Sequence, residues 1–440
     1  MSASDSHLVV KLPALKRTIE RVTGYSISSN YLTSTDGFEF SAFDPDRSKL
    51  QNLECQPVEL LIHEASQLIG RIDVSRVGDN GSAYTFSGRD YIADIVECNV
   101  DPALKITAGM NLFDAFLLAM GPVGIYEVVD DADVGLRNVR SGKTVGAKKK
   151  KRKRRKLSQA DIKPEPGQGI YEFCNKIAAR QGCTIQPSDR RRAVTLAQPN
   201  FDQDPLYTIS RYDDPTVGQS NNVISATCAR DYSRFPTFTM LSGHQAKAGV
   251  TAPVVTTTVD TLQMVTGFGL GNFRPSALII NSSGVGSGDK SLNKTLDGVD
   301  FAKTQAPEIA AILESSIHRG RRKPPASGGS SFDVGKLYRL LFHRDADAKD
   351  EEQLFQGAAR AIAERLKDTL EYRATLKGHV DPASGAIWSV DTIVNVSDAI
   401  CNVQEPLWIA ERTLRFSPQD GATTEIVAWR PGSFQIGSEE

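Results

Sequence analysis

Residues Tyr372 to Phe434 read YRATLKGHVDPASGAIWSVDTIVNVSDAICNVQEPLWIAERTLRFSPQDGATTEIVAWRPGSF, and their pattern decides the fold class. Tyr372, Ala374 and Leu376 alternate with Arg373, Thr375 and Lys377, the two-residue period of a half-buried strand. Asp381-Pro-Ala-Ser-Gly385 is turn chemistry, because proline fixes φ and glycine is free to take a positive one. Ile393, Val394 and Val396 predict the next strand, Leu407 to Phe416 a third, and Thr423 to Trp429 a fourth after the turn Ser417-Pro-Gln-Asp-Gly421. Four short strands with punctuated turns read as an antiparallel sheet or small barrel. No residue of the stretch stands out as catalytic.

The same signals recur upstream. His7 to Leu12 and Gly24 to Tyr31 predict opening strands, and Val58, Leu60 and Ile62 alternate into another. Gly70 to Val77 continues the sheet, Gly78-Asp-Asn-Gly81 turns it, and Ala83 to Phe86 returns. Ser87-Gly-Arg-Asp90 then breaks into a short helix ending near Cys98, with Asp90 placed to favour the helix N-terminus. Asn111 to Met120 is a helix with Leu112, Phe113, Phe116 and Leu117 on one face. Ile170 to Gln181 is another, striped by Ile170, Phe173, Cys174 and Ile177, with Gly182 where a C-terminal cap belongs. Strands Cys183–Ile185 and Ala193–Ala197 and the pair Gln198-Pro199 follow. Asn221 to Phe235 and Thr237 to Gly243 predict a strand pair, and 250–303 is rich in Gly, Ser and Thr with little periodicity. Pro307 to Ile317 reads as a helix and Ala326-Ser-Gly-Gly-Ser-Ser331 as a joint. Leu337 to Asp347 precedes a helix over about 350–370, where Leu354, Ala358, Ile362, Leu366 and Leu370 repeat every four residues.

Five of these segments, taken in order, carry a resemblance. They are the Gly-Arg-Asp strand end with its helix, the helix–glycine–hairpin of 170–199, the strand from Asn221, the segment of 337–370, and the C-terminal run from Gly378-His379 through Ile387-Trp388 to Pro431-Gly-Ser-Phe434. Together they resemble the contractile-tail baseplate hub family, that is, the phage Mu-like hub and the phage late control protein D group, related to the hub module of type VI secretion spikes. The resemblance implies a β-rich α+β, multidomain fold with two tail-tube-like β-barrel domains, a small α/β domain and an insertion. It places the first barrel at 1–100, the small domain at 101–203 with a loop over 130–167, the second, discontinuous barrel at 204–243 and 330–440, and the insertion at 244–329. It further implies a homotrimer of pseudo-sixfold symmetry between a hexameric tail tube and a trimeric tail spike. The setting would be the tail baseplate of a virion, assembled in the bacterial host cytoplasm among other baseplate proteins.

Composition bounds the remaining readings. A chain of 440 residues exceeds one core, and 40% hydrophobic with 24% charged residues is ordinary for a globular protein. No run approaches eighteen apolar residues, and Met1 to His7 lacks the basic and apolar regions of a signal peptide, so no stable membrane insertion is expected. Six cysteines without a C-x-x-C predict free thiols rather than disulfides or zinc. The six histidines have no partner at metal-ligand spacing. No cofactor and no catalytic set are expected. Trp388, Trp408 and Trp429 are expected in the core of the C-terminal sheet.

The net charge of −1 conceals one concentrated feature. Lys148, Lys149, Lys150, Lys151, Arg152, Lys153, Arg154, Arg155 and Lys156 are nine of the 52 basic residues, and without them 43 face 53 acidic ones, a net of −10. Gly142-Lys143-Thr144 mimics the end of a phosphate-binding loop, but Arg137 stands where that motif needs glycine. The tract reads as a solvated loop or as a docking element for DNA or a tape-measure segment in the channel, or for an acidic neighbour. The alternatives to a structural hub are a hub-like spike component with cell-wall hydrolase activity and a nucleic-acid-binding adaptor acting through this tract.

Overall fold

A computed structural model describes residues 8–45, 50–78, 81–104, 106–107, 110–130, 164–179, 183–188, 192–201, 203–212, 221–231, 233, 238–243, 255–260, 278–280, 340–345 and 365–433. The chain divides into two compact units, Met1–Arg230 with Leu370–Glu440, and Asp231–Thr369.

The first unit opens with β1 (Leu8–Leu12), β2 (Arg17–Ile19), β3 (Val22–Asn30), β4 (Gly37–Phe43), β5 (Pro57–Ile62), β6 (Ala65–Val77) and β7 (Ala83–Asp90). Hydrogen bonding follows the path β3-β4-β7-β6-β5-β1-β2, antiparallel throughout. Alternation decides which face is buried: Val10, Ile27, Leu60, Ile72 and Phe86 point into a common core with Leu414. Ser87-Gly-Arg-Asp90 is the end of β7, and a side chain at Gly88 would meet Arg71 O and the Phe38 ring. Glycine is therefore fixed there by the close approach of two strands.

The small α/β domain follows. It contains α1 (Ile92–Glu97), α2 (Leu112–Met120), β8 (Glu127–Asp130), α3 (Ile170–Ala179), β9 (Thr184–Pro187) and β10 (Ala193–Ala197). Asn111 caps α2 by accepting from Phe113 N. The predicted stripe of Ile170, Phe173, Cys174 and Ile177 is buried against Phe116, Ile185 and Val194. The pattern did not announce β8, which pairs parallel with β10 while β9 pairs antiparallel. Gly182, expected as a cap, lies outside the described residues.

Next come β11 (Tyr207–Arg211) and β12 (Val223–Ala229). The second unit then contributes a separate four-stranded sheet of β13 (Phe238–Gly243), β14 (Val255–Asp260), β15 (Leu278–Ile280) and β16 (Leu340–Asp345), in the order β15-β14-β13-β16. The strand at 238–243 was expected to pair with the one from Asn221; instead it pairs with β14 and β16. Of the helix expected over 350–370, only residues 365–370 are described, and 365–369 of them are helical. The first unit resumes with β17 (Glu371–Lys377), β18 (Thr392–Asp398), β19 (Val403–Ser417) and β20 (Gly421–Trp429), close to the four strands read from the sequence.

These C-terminal strands rebuild the first barrel. The path β12-β17-β20-β19-β18-β11 repeats β3-β4-β7-β6-β5-β1 strand for strand, with the six strands in the same chain order. One pairing differs, since β11 runs parallel to β18 whereas β1 runs antiparallel to β5. Between β11 and β12 the side chain of Asn222 supplies a bridge, accepting from Ser210 N at 3.0 Å and donating to Thr208 O at 2.8 Å. The core gathers Tyr207, Tyr372, Trp388, Val394 and Leu407. Each such fully buried apolar side chain contributes about 1.5–3 kcal/mol. All three tryptophans are buried, as expected.

Candidate functional site

The two barrels are joined by backbone. Residues Glu411–Phe416 of β19, a strand of 15 residues, pair antiparallel with Asn30–Tyr25 of β3, so both barrels share one 13-stranded sheet. β19 is long enough to serve the second barrel with its first half and the junction with its second. Its partner β20 runs beside it to the turn, where Gly421 takes φ +73.

The solvent side of this sheet crosses the junction without interruption. Register places Ser87, Glu39, Ser26, Arg415, Thr423 and Lys377 in one row over β7, β4, β3, β19, β20 and β17. The neighbouring row runs Ser28, Thr413, Glu425, Thr375, Ser225. These side chains are exposed or half-buried, and Arg415 pairs with Glu425 at 3.1 Å. A hydroxyl-rich polar face thus spans both barrels.

The inner side of the junction is held by a buried polar cluster. Arg412, 5% exposed, donates from Nη1 to Gln67 Oε1 and to Trp388 O, both at 2.9 Å, and from Nη2 to Ser29 Oγ at 2.9 Å. One guanidinium therefore ties β19 to β3, to β6 and to the connection before β18. Burial pulls its pKa down, opposed by the charge of Asp36. Asp36 N donates to Asp90 Oδ2 at 2.6 Å, Asn30 N to Asp36 Oδ1 at 3.2 Å, and Ile92 N to Asp90 Oδ1 at 2.9 Å. Asp90 thus accepts at the start of α1, where the sequence put it. Burial raises Asp36 to about 6, against the pull of Arg412, and raises Asp90 to about 7 with help from the Asp36 charge.

His379 sits beside this cluster, buried just past the end of β17. Thr424 Oγ1 donates to Gly378 O at 2.7 Å, so its lone pair is left to accept from His379 Nδ1 at 3.2 Å. His379 Nε2 then accepts from Tyr25 OH at 2.8 Å, a bond from the segment after β17 to β3 of the first barrel. Burial lowers the pKa of His379 to about 4, with smaller contributions from His63 and Arg412, which keeps the imidazole neutral. Asp391 fixes the segment entering the second barrel: Asn200 N and Trp408 Nε1 donate to its Oδ1 at 3.0 and 2.9 Å. A cleft of about 1530 Å³ opens over the junction, lined by His63, Gln67, Asp204, Lys377, Pro382 and Arg412 among others. The shifted groups beside it spend their hydrogen bonds on holding strands together.

Among the described residues, no group of three His, Cys, Asp or Glu side chains is placed to hold a metal, and no helix is long and apolar enough to cross a membrane. Lys148 to Lys156 lie outside the described residues. Arg412, Asp36 and Asp90 are the junction residues that pattern reading gave no joining role. In the sequence, only the charged position of Arg412 between Trp408, Ile409, Ala410 and Leu414 marked it.

The chain is multidomain and β-rich with a repeated strand path in one large sheet, its fold is similar to those of phage tail proteins, and the resemblance drawn from the five segments is met at the level of fold. The tail protein from Neisseria meningitidis superposes with a TM-score of 0.60 at 17% identity, covering 98% of both chains. The 43 kDa tail protein of prophage MuSo2 from Shewanella oneidensis gives 0.59 at 15% identity, covering 99% of this chain and 100% of the other. No family model and no curated protein sequence matches the chain.

Proposed function

We propose that the chain is the structural hub of a contractile-tail baseplate, of a phage or a related injection system. Three copies form a ring in which six barrels meet a hexameric tail tube on one side and a trimeric spike on the other. The observation that supports this most is the repeated strand path, joined edge to edge through β3 and β19. A repeated module gives each chain two similar docking surfaces, so closed threefold symmetry presents six. The function then lies in surfaces rather than in a pocket, and no reaction is assigned. End-on electron micrographs of the purified particle test it. The expected view has six lobes from three chains; a view with two, four or five lobes contradicts it.

In this reading Lys148 to Lys156 dock electrostatically in the assembled hub, on DNA or a tape-measure segment in the channel or on an acidic baseplate neighbour. Nine adjacent cations repel by about 1 kcal/mol per close pair in water, which an anionic partner relieves. Replacing the tract by a Gly/Ser linker of equal length is expected to leave assembly and thermal stability nearly unchanged. With DNA as partner, wild-type binding weakens steeply with salt and the linker variant loses it. DNA binding absent at low salt, or unaffected by the linker, removes the nucleic-acid version; collapse of the isolated assembly overturns the docking role.

A further inference from the structure

Two cysteines pack on the same core where the chain leaves the second barrel. β12 leads from that barrel towards Asp231, the first residue of the second unit. On β12, Ala226 and Cys228 are half-buried on one side of the strand, two residues apart, and both pack on the barrel core. The turn between β18 and β19 lies against the same strand. The Cys401 thiol donates to Ala226 O at 4.0 Å, and Arg230 Nη2 donates to Cys401 O and Asn402 O at 3.1 and 2.7 Å. Cys228 also stands opposite Tyr372 in the β12–β17 register. Tyr372 OH donates to Asp398 Oδ2 at 2.9 Å, and Asp398 Oδ1 accepts from Cys401 N at 2.8 Å. The two cysteines therefore flank one hydrogen-bonded pair, from the two elements that the Arg230 guanidinium clamps together.

Same-side positions on a strand are spaced by about 7 Å, and a disulfide bridges Cα atoms about 4.4–6.8 Å apart. A thiol in contact with Ala226 O is thus within side-chain reach of the next residue on that side. In the structure both cysteines are free.

We infer that Cys228 and Cys401 form a redox clasp: free thiols in a reducing compartment, and a disulfide once a disulfide oxidant such as oxidised glutathione is present. One thiolate attacks a glutathione sulfur and expels a glutathione thiolate. The second thiolate attacks the mixed disulfide and expels the other. Two protons leave the protein, two electrons pass to glutathione, and one S–S bond forms. The bond fastens β12 to the β18–β19 turn, just before the chain runs on to Asp231. Burial holds both thiols above the usual thiol range, with the Asp398 carboxylate adding to it, so the exchange is slow at neutral pH. Closing after release from a bacterial cytoplasm would rest on the tail reading; the chemistry does not.

The test uses the full chain, purified with reductant, freed of it, and incubated with oxidised glutathione at about pH 8.5, near an ordinary thiol pKa. Alkylation and peptide mass mapping follow. The exposed Cys55 reports that the oxidant acted. The expected product is a peptide linking residues 228 and 401, absent from C228S and C401S, with Cys55 glutathionylated. The clasp is overturned if Cys55 reacts while both cysteines stay free, if each ends as a separate glutathione adduct, or if either pairs with another cysteine. None of these outcomes touches the oligomeric state, so the hub reading stands or falls separately.

Discussion

At the scale of single residues, the junction depends on Arg412. Its guanidinium satisfies Gln67, Ser29 and the Trp388 carbonyl while facing the Asp36 charge. Arg412→Ala leaves those acceptors and a carboxylate buried without it, and is expected to cost about 3–5 kcal/mol, read as a fall in the urea midpoint. Lysine is a poor substitute, having no planar fork to serve β3, β6 and the Trp388 connection together. Titration runs in two opposed directions here. Asp36 and Asp90 have folded pKa values raised to about 6 and about 7 by burial, so the stability of their protonated forms is lost as pH rises from about 4 towards 7. His379 is lowered to about 4, so the stability of its neutral form is lost as pH falls from about 6.5 towards 4. Asp90→Asn removes one rising-pH loss. Urea midpoints across pH 4–7 are therefore expected to decline less with rising pH in the variant, whatever its overall stability. An unchanged slope would show that Asp90 ionises normally in the folded state.

At the scale of elements, the pattern was informative where one face is buried and one wet. Tyr372, Ala374 and Leu376 are buried and Arg373 and Lys377 exposed, so β17 was legible almost to its ends. β4 has the same alternation in Gly37-Phe-Glu-Phe-Ser-Ala-Phe43 and could have been read. β8 could not, because four residues carry too little pattern and its reason to exist is the parallel edge of β10, far along the chain. The partner of 238–243 was also beyond reach, since strand pairing follows the tertiary path rather than proximity in sequence. For the site, the contrast is sharper. Asp90 was placed by local capping chemistry, whereas the partners of Arg412 lie up to 383 residues away. The close approach at Gly88 makes an element-level test. Gly88→Val would press on Arg71 O and the Phe38 ring and is expected to cost about 1–3 kcal/mol, seen as a lower melting temperature. A wild-type melting temperature would mean that β6 and β7 lie farther apart.

At the scale of the whole molecule, the second barrel repeats the strand path of the first, and the pairing of β19 with β3 commits the two to one sheet. Under the proposed hub role, that arrangement would offer similar surfaces twice to partners arranged around an axis. The polar rows from Ser87 to Lys377 and from Ser28 to Ser225 need no hydrophobic partner to stay soluble. In the proposed hub, three such chains close into a ring. Light scattering of the purified full chain, alone and with the spike proposed as its partner, measures this most directly. Three chains of 47.9 kDa predict a particle of about 144 kDa before any spike mass is added. A mass that stays at one or two chains, even with the spike present, would contradict it.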